Sequence, residues 1–433
     1  MRIAVVGSGI SGLVAALKLQ AGHEVDLLEA ADYAGGHTHT HTLQVEGQTL
    51  AVDSGFIVFN RTTYPHFSAL LDELKVRSQP TDMSFSVRCE RTGLEYAGSG
   101  LSGLFAQPAN MLRPSFWKLW IDWLRFNRQA RRLLPGLDER LTVGEFFAQH
   151  RYSEAFREQY FLPLGSAVWS CPRSAFAGFP IKLVLEFYRN HGMLALPGKV
   201  RWEVVVGGSQ RYVQAILGRL HKGIELRTRV RALRRMAGSI ELQIDGQPPR
   251  TYDHVVLACH SDQALRMLGD QATRQELEIL TAFPYQRNTA VLHTDTSVLP
   301  KNRRAWASWN YLLPATAAAA ATVTYDMTRL QSLPVRQRLL VTLNAEERID
   351  PSKVLRRMVY HHPVFDARRA AMQRRHRELI DHHGLSYCGA YWGHGFHEDG
   401  VVSALAVAEV LAPHATSRRS AARLAASMPA AGR

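Results

Sequence analysis

Residues 1–30 read MRIAVVGSGISGLVAALKLQAGHEVDLLEA, and the fold turns on them. An apolar run, Ile3–Val6, leads into Gly7-x-Gly9-x-x-Gly12; the following pattern predicts a helix from about Ser11 to Gln20. A second strand, EVDLLEA, then ends on Glu29, an acid at the distance from the glycines that a ribose-binding residue requires. Each glycine has a physical task. Gly7 makes the tight turn, Gly9 lets backbone approach a pyrophosphate, and Gly12 allows close helix–strand packing. The helix N-terminus presents free N–H groups and a positive dipole end to phosphate, which puts Ser8, Ile10 and Ser11 beside the ligand. Glu29, followed by Ala30, can accept from both ribose hydroxyls and would repel a 2′-phosphate. A second match, GSGLSG at Gly98–Gly103, lacks a long preceding strand and a following acid, so it reads as a glycine-rich loop.

The rest of the composition is that of an ordinary globular chain. It has 433 residues, 46% hydrophobic and 21% charged, enough for two or three units of buried core. No run approaches the roughly 18 apolar residues of a membrane span. The strand starting at residue 2 leads to the expectation of no leader peptide and a cytoplasmic protein, and four scattered cysteines without CxxC fit reduced thiols. Net charge is +14, which favours contact with something anionic. Part of it sits in the last 20 residues, with four arginines and no acid, and 413–433 reads as a disordered basic tail. No nucleic-acid-binding module is present, and no Gly-x-Ser-x-Gly elbow supports hydrolysis. Nucleic acid is therefore not an expected partner.

Beyond Glu29 come Gly35-Gly36 and then, at the end of another strand, Asp53-Ser54-Gly55. Glu-x5-Gly-Gly followed by Asp-x-Gly resembles the FAD-dependent amine oxidase and phytoene desaturase superfamily. The resemblance implies FAD and an α/β fold: a Rossmann-like FAD-binding domain of the glutathione-reductase type interwoven with a mixed α+β substrate domain. It implies a discontinuous FAD domain (1–60, 196–264, 384–412) and substrate segments at 61–195 and 265–383. It also implies that Val230 pairs its backbone with adenine, and that Gly389, Asp399, Gly400 and Val401 lie against the flavin. The usual arginine after the glycine pair is His37 here, which could donate a hydrogen bond in its place. His37, His39 and His41 would share one face of an extended strand, but without carboxylate or cysteine they make a poor metal site, and no metal is expected.

Blocks such as DSGFIVFNRTTYPHF, FLPLGSAVWSCP, WASWNYL and GFHEDG are similar to a bacterial group of FAD-binding, amine-oxidase-like proteins. That group is commonly encoded beside cyclopropane-fatty-acid-synthase-type methyltransferases and includes a desaturase of the furan fatty acid pathway. The resemblance implies a lipid or fatty acyl substrate and a desaturase or dehydrogenase. Two other readings stay open: a flavin amine oxidase and a redox-neutral fatty acid double-bond isomerase. Tyr391, Trp392 and Trp309 are the candidate catalytic residues, the first two as an aromatic wall over the flavin. His260 reads as a surface histidine rather than a base. No second dinucleotide finger is seen, so electrons would leave to an external acceptor.

Two further stretches invite interpretation. Arg113–Leu134, RPSFWKLWIDWLRFNRQARRLL, sets aromatics against arginines with one acid, Asp122. It reads either as a buried helix with a solvated basic side, which is preferred, or as an interfacial helix meeting anionic lipid on the inner membrane face. Near the C-terminus, GHGFHEDG packs His394, His397, Glu398 and Asp399 together, yet its glycines suit close backbone approach to a cofactor better than metal ligation. Asp399 or His397 is expected to cap the last helix, whose N-terminus would stabilise charge on the flavin.

Overall fold

In the computed structural model the described residues are 1–194, 200–315 and 321–412. The expected tail, 413–433, lies outside them. The N-terminal strand Arg2–Val6 sits inside a four-stranded parallel sheet, between Glu24–Leu28 and His254–Leu257, with Leu385–Tyr387 at the far edge. These strands are apolar at every position in their C-terminal halves because both faces are covered. Ile3, Val5, Leu27 and Val256 point to a helical layer, and Ala4, Val6, Leu28 and Leu257 to a three-stranded antiparallel sheet on the other side. The helical layer comprises the first helix Ile10–Leu19, the helices Pro65–Leu74 and Gln210–Leu217, and the last helix His397–Leu411.

The second unit is built on a seven-stranded mixed sheet. Its order is Val354–Pro363, Tyr285–His293, Leu340–Leu343, Val323–Asp326, Trp309–Leu313, Phe85–Cys89 and Leu94–Ala97. All neighbours are antiparallel except Trp309–Leu313 with Phe85–Cys89. Helices between residues 114 and 190 bury a largely aromatic core, with Phe126, Phe146, Phe156, Phe161 and Phe176 nearly inaccessible.

Two segments assigned to the substrate domain pack instead with the parallel sheet. Phe67, Leu70, Leu71 and Leu74 join the core over Ile3 and Val5, so a boundary at residue 60 falls too early. Met267, Leu268, Ile279 and Leu280 join the core behind Val6 and Leu257. Sequence reading missed this because an amphipathic helix reports that one face is buried, not which sheet it faces. Of GSGLSG, residues 98–100 close the edge strand Leu94–Ala97 as a loop, whereas residues 101–103 already belong to the short helix Leu101–Leu104.

Candidate functional site

At the C-terminal end of the parallel sheet, three glycine turns and two helix N-termini converge. Gly7 has φ +102°, and its N–H donates to Leu28 O at 2.8 Å. A Cβ on Gly12 would lie 1.9 Å from Gly7 O, so only glycine lets the first helix seat on the first strand. Gly9 differs: a Cβ there would meet nothing within 4 Å. Gly35 (φ +121°) and Gly36 (φ +60°) fold over this turn, Gly35 N–H donating to Ser8 O and a Gly36 Cβ falling 3.2 Å from Gly9 Cα. Glu29 is locked at the sheet edge. Its carboxylate accepts from Ser8 N (2.8 Å), Ser8 Oγ (2.6 Å) and Ala31 N (2.8 Å), while Ala30 between is exposed. Thr228 N–H donates to Glu29 O, bringing the strand that opens at Val230 alongside. The Val230 side chain is buried between the two sheets.

The last helix delivers the second N-terminus. A Cβ on Gly400 would fall 2.7 Å from Ile10 Cγ2 and 2.9 Å from Ser11 Oγ, so the two helices meet end against end. Gly400 makes the first intrahelical bond, to Phe396, leaving the N–H groups of His397, Glu398 and Asp399 without an intrahelical partner. Neither His397 nor Asp399 is the capping residue. The cap is Phe396, and Asp399, three residues inside, accepts its N–H at 2.9 Å. Gly389 donates to Ser403 Oγ at 2.9 Å, and Val401 is core against the first helix.

Around these turns lies a cluster of imidazoles that no sequence motif announced. His37 stands 5.2 Å from both Tyr360 and His362, and 6.0 Å from His260, ring to ring. His260 stacks on Tyr285 at 4.3 Å and is not the surface residue expected; the turn after strand His254–Leu257 carries it under the strand Val354–Pro363. Burial lowers the His37 pKa to about 4 and that of His260 to about 3, and drives His362 and His397 well below the ordinary imidazole range. The cluster is therefore neutral at pH 7. His37 Nε2 is buried with no partner among the described residues. His39 and His41 do share a face, with rings 4.2 Å apart. Among the described residues, no group of three or more His, Cys, Asp or Glu is arranged to hold a metal ion.

Several expected site residues are committed elsewhere. The buried Asp53 carboxylate accepts from Thr40 Oγ1, Ser209 N, Ser209 Oγ and Gln331 Nε2, and burial raises its pKa to about 6. It joins three chain segments rather than presenting itself to a nucleotide. Ser54 Oγ bonds His41 and Tyr360, and a Cβ on Gly55 would strike His37 O at 2.0 Å. Tyr391 and Trp392 form no wall over the glycine turns. They pack behind the parallel sheet with Phe283, and Trp392 stacks on His376 at 4.2 Å. The turn after Tyr387 sends them to the face bearing Val6 and Leu257, a choice of side that spacing alone does not encode. Trp309 belongs to the seven-stranded sheet, edge-on to Tyr325 at 5.0 Å.

Beside the N-terminus of the last helix opens a recess of about 430 Å³, within the range of about 300–1,000 Å³ typical of ligand pockets. Tyr64, Phe187, His191 and Phe396 line it; Phe187 stacks on His191 at 3.8 Å and on Phe396 at 4.9 Å. Its two acids each hold backbone N–H groups. Glu398 accepts from the backbone N–H of His66 and Phe67, capping that helix, and from His66 Nδ1; Asp399 holds Phe396 N–H. A smaller notch near Gln20 and Lys222 lies at the opposite end of the sheet, away from the glycine turns.

This geometry fits a flavin dinucleotide. Gly9 leaves space that a methyl group would fill, two helix N-termini offer unpaired N–H groups, and His37 Nε2 is a buried polar atom in need of a partner. Comparison with known proteins agrees. Residues 10–306 match the family described as flavin containing amine oxidoreductase. A flavin-dependent L-tryptophan oxidase, RebO of Lentzea aerocolonigenes, is 46% identical over 55 residues, a match spanning 12% of either chain. Among solved structures, cyclohexylamine oxidase of Brevibacterium oxydans superposes with TM-score 0.67 at 15% identity, over 95% of this chain and 99% of that one. A CLA-producing fatty acid isomerase of P. acnes superposes with TM-score 0.66 at 16% identity, over 95% and 97%. At such identities the structures share the fold.

Proposed function

Because the chain belongs to the flavin containing amine oxidoreductase family, and is thus an FAD-dependent oxidoreductase, we propose that it dehydrogenates a fatty acyl chain. The observation that carries this is the aromatic side of the recess, where Phe187 stacks on His191 and on Phe396. Glu398 and Asp399 also line it, and each is held by backbone N–H groups that offset part of its charge: Glu398 by His66 and Phe67, Asp399 by Phe396. His191, its pKa lowered to about 4 by burial, is uncharged. Walls of this kind suit a hydrocarbon, whose transfer from water is favourable by about 0.8 kcal/mol per methylene. The shared fold with a fatty acid isomerase is compatible with such a substrate.

In this reading the N–H groups of Ile10 and Ser11, with His37 Nε2, receive the diphosphate across the open side of Gly9. Glu29, oriented by Ser8 and Ala31, accepts from the adenosine ribose. When bound, FAD supplies the acceptor for the hydride leaving the substrate carbon. The N-terminus of the last helix directs its unpaired N–H groups at the negative charge that develops. Phe187 and Phe396 keep water from the reacting carbon, and their ring packing fixes the chain at the helix end.

The test is anaerobic mixing of the FAD-loaded protein with vesicles of methyl-branched monounsaturated phospholipid, with the free acids, and then with putrescine, cyclohexylamine and tryptophan. Loss of flavin absorbance with an acyl substrate, and a product with one more double bond, is expected. Bleaching by amines alone would overturn the proposal. So would a lipid product of unchanged oxidation state, which would assign isomerisation.

A further inference from the structure

The helix Pro114–Leu133 has two apolar faces, and only one is covered. Phe116, Leu119, Phe126 and Ala130 are buried, with Trp120 and Trp123 packed beside them. Trp117, Ile121 and Leu124 fall on the opposite side, 46%, 63% and 59% exposed. At about 100° per residue, positions 117, 121, 124 and 128 form one stripe. The preceding segments extend it: Leu101, Met111 and Leu112 are 76%, 52% and 87% exposed. Those six make up half of the twelve large hydrophobic residues that are exposed among the described residues.

The patch is preformed and has a charged rim. Trp117 Nε1 donates to Met111 O at 2.8 Å, and its ring lies 6.0 Å from Phe105, fixing the turn and the short helix against the long one. Lys118, Arg128 and Arg132 are exposed around it and make no ion pair among the described residues. Arg125 and Arg131 stand beside them, Arg125 paired with Asp122 at 3.4 Å and bound to His150 O, Arg131 bound to Leu194 O. The one acid between Leu101 and Leu133, Asp122, is buried and accepts from Ser153 N at 2.7 Å.

We propose that this face seats the protein on an anionic lipid surface. An apolar stripe bordered by uncompensated cations matches the headgroup boundary, where aliphatic and indole groups enter the acyl region and arginines remain with phosphates. A second copy is a poor occupant, since the rim of the face carries only cations and its single acid, Asp122, is buried, so a self-complementary contact would bring like charges together with no acid to pair them. No helix among the described residues is long and apolar enough to cross a membrane, so the contact is peripheral. The proposal goes beyond the substrate reading and does not depend on it, because docking can be scored without turnover.

The experiment is co-sedimentation of the FAD-loaded protein with phosphatidylcholine vesicles, with and without phosphatidylglycerol. Binding is expected to the anionic vesicles and to weaken with salt. Ile121→Glu/Leu124→Glu should lower vesicle affinity about tenfold or more, with melting temperature and FAD content unchanged because both side chains face solvent. Lys118→Glu/Arg128→Glu should lose the preference for anionic lipid. Equal binding by wild type and Ile121→Glu/Leu124→Glu would overturn the proposal, as would no binding to anionic vesicles. A dimer in sedimentation velocity that Ile121→Glu/Leu124→Glu dissolves would instead assign the face to self-association.

Discussion

Gly9 and Gly12 stand three residues apart in one motif, and the structure assigns them separable roles. Replacing Gly12 by alanine would place a methyl carbon 1.9 Å from Gly7 O and 3.2 Å from Ala258 Cβ. The first helix would have to retreat by about 1 Å from a close-packed sheet. Overpacking of this kind costs about 1–3 kcal/mol, more than the roughly 1 kcal/mol that alanine contributes as a helix former. Gly9→Ala meets nothing within 4 Å, and Gly9 sits at φ −61°, where any residue is comfortable. Its apo stability should stay within about 0.5 kcal/mol of wild type. The cofactor reverses the ranking. Saturating FAD at 100 times its dissociation constant stabilises a binding-competent chain by about 2.7 kcal/mol, and Gly9→Ala should lose that increment because its methyl fills the diphosphate space. The assay is thermal melting of each apo protein with and without FAD, alongside flavin retained on desalting. A Gly9→Ala protein that keeps FAD like wild type would refute the placement of the cofactor. An apo Gly12→Ala protein as stable as wild type would refute the packing argument.

Glu29→Ala leaves Ser8 N–H and Ala31 N–H without their acceptor, so apo stability should fall by about 1–3 kcal/mol and titration should show weaker FAD binding. The neutral imidazoles make the fold acid-sensitive: the unfolded chain binds protons near pH 6.5 and folded His37 only near 4, so stability falls by about 3 kcal/mol for this ring as pH drops through that window. Asp53, raised to about 6, opposes it with a slope of the other sign between about pH 4 and 6; urea unfolding across pH should show His260→Gln flattening the histidine part. Tyr391→Phe removes a buried hydroxyl that has no partner among the described residues, so stability should hold or rise by about 1 kcal/mol with turnover unchanged; a drop in kcat would return Tyr391 to the site.

The nucleotide cradle was legible because its constraints are local. A turn that needs φ +102° at Gly7, a helix that cannot carry a methyl at Gly12, and an acid closing the second strand leave marks at fixed spacing. Glycine at 35 and 36 is equally local, since both positions have positive φ. Asp53 shows the limit of such reading. Its place at the end of the strand Gln48–Asp53 is local and legible, but its partners, Ser209 and Gln331, are 156 and 278 residues away. For His361 and His362 the sequence offers no signal but the His-His pair itself ahead of Pro363.

What the sequence determined by itself was the cofactor-binding turn, the α/β class and a basic aromatic helix, all properties of segments up to about 30 residues long. What tertiary structure decided was direction. It sent Tyr391 and Trp392 behind the sheet, turned His260 toward His37, spent Glu398 and Asp399 on backbone, and left Trp117, Ile121 and Leu124 facing outward. The physical reason is that a side chain's type and spacing fix which residues share a face, whereas what that face meets depends on strands and helices brought together from remote parts of the chain.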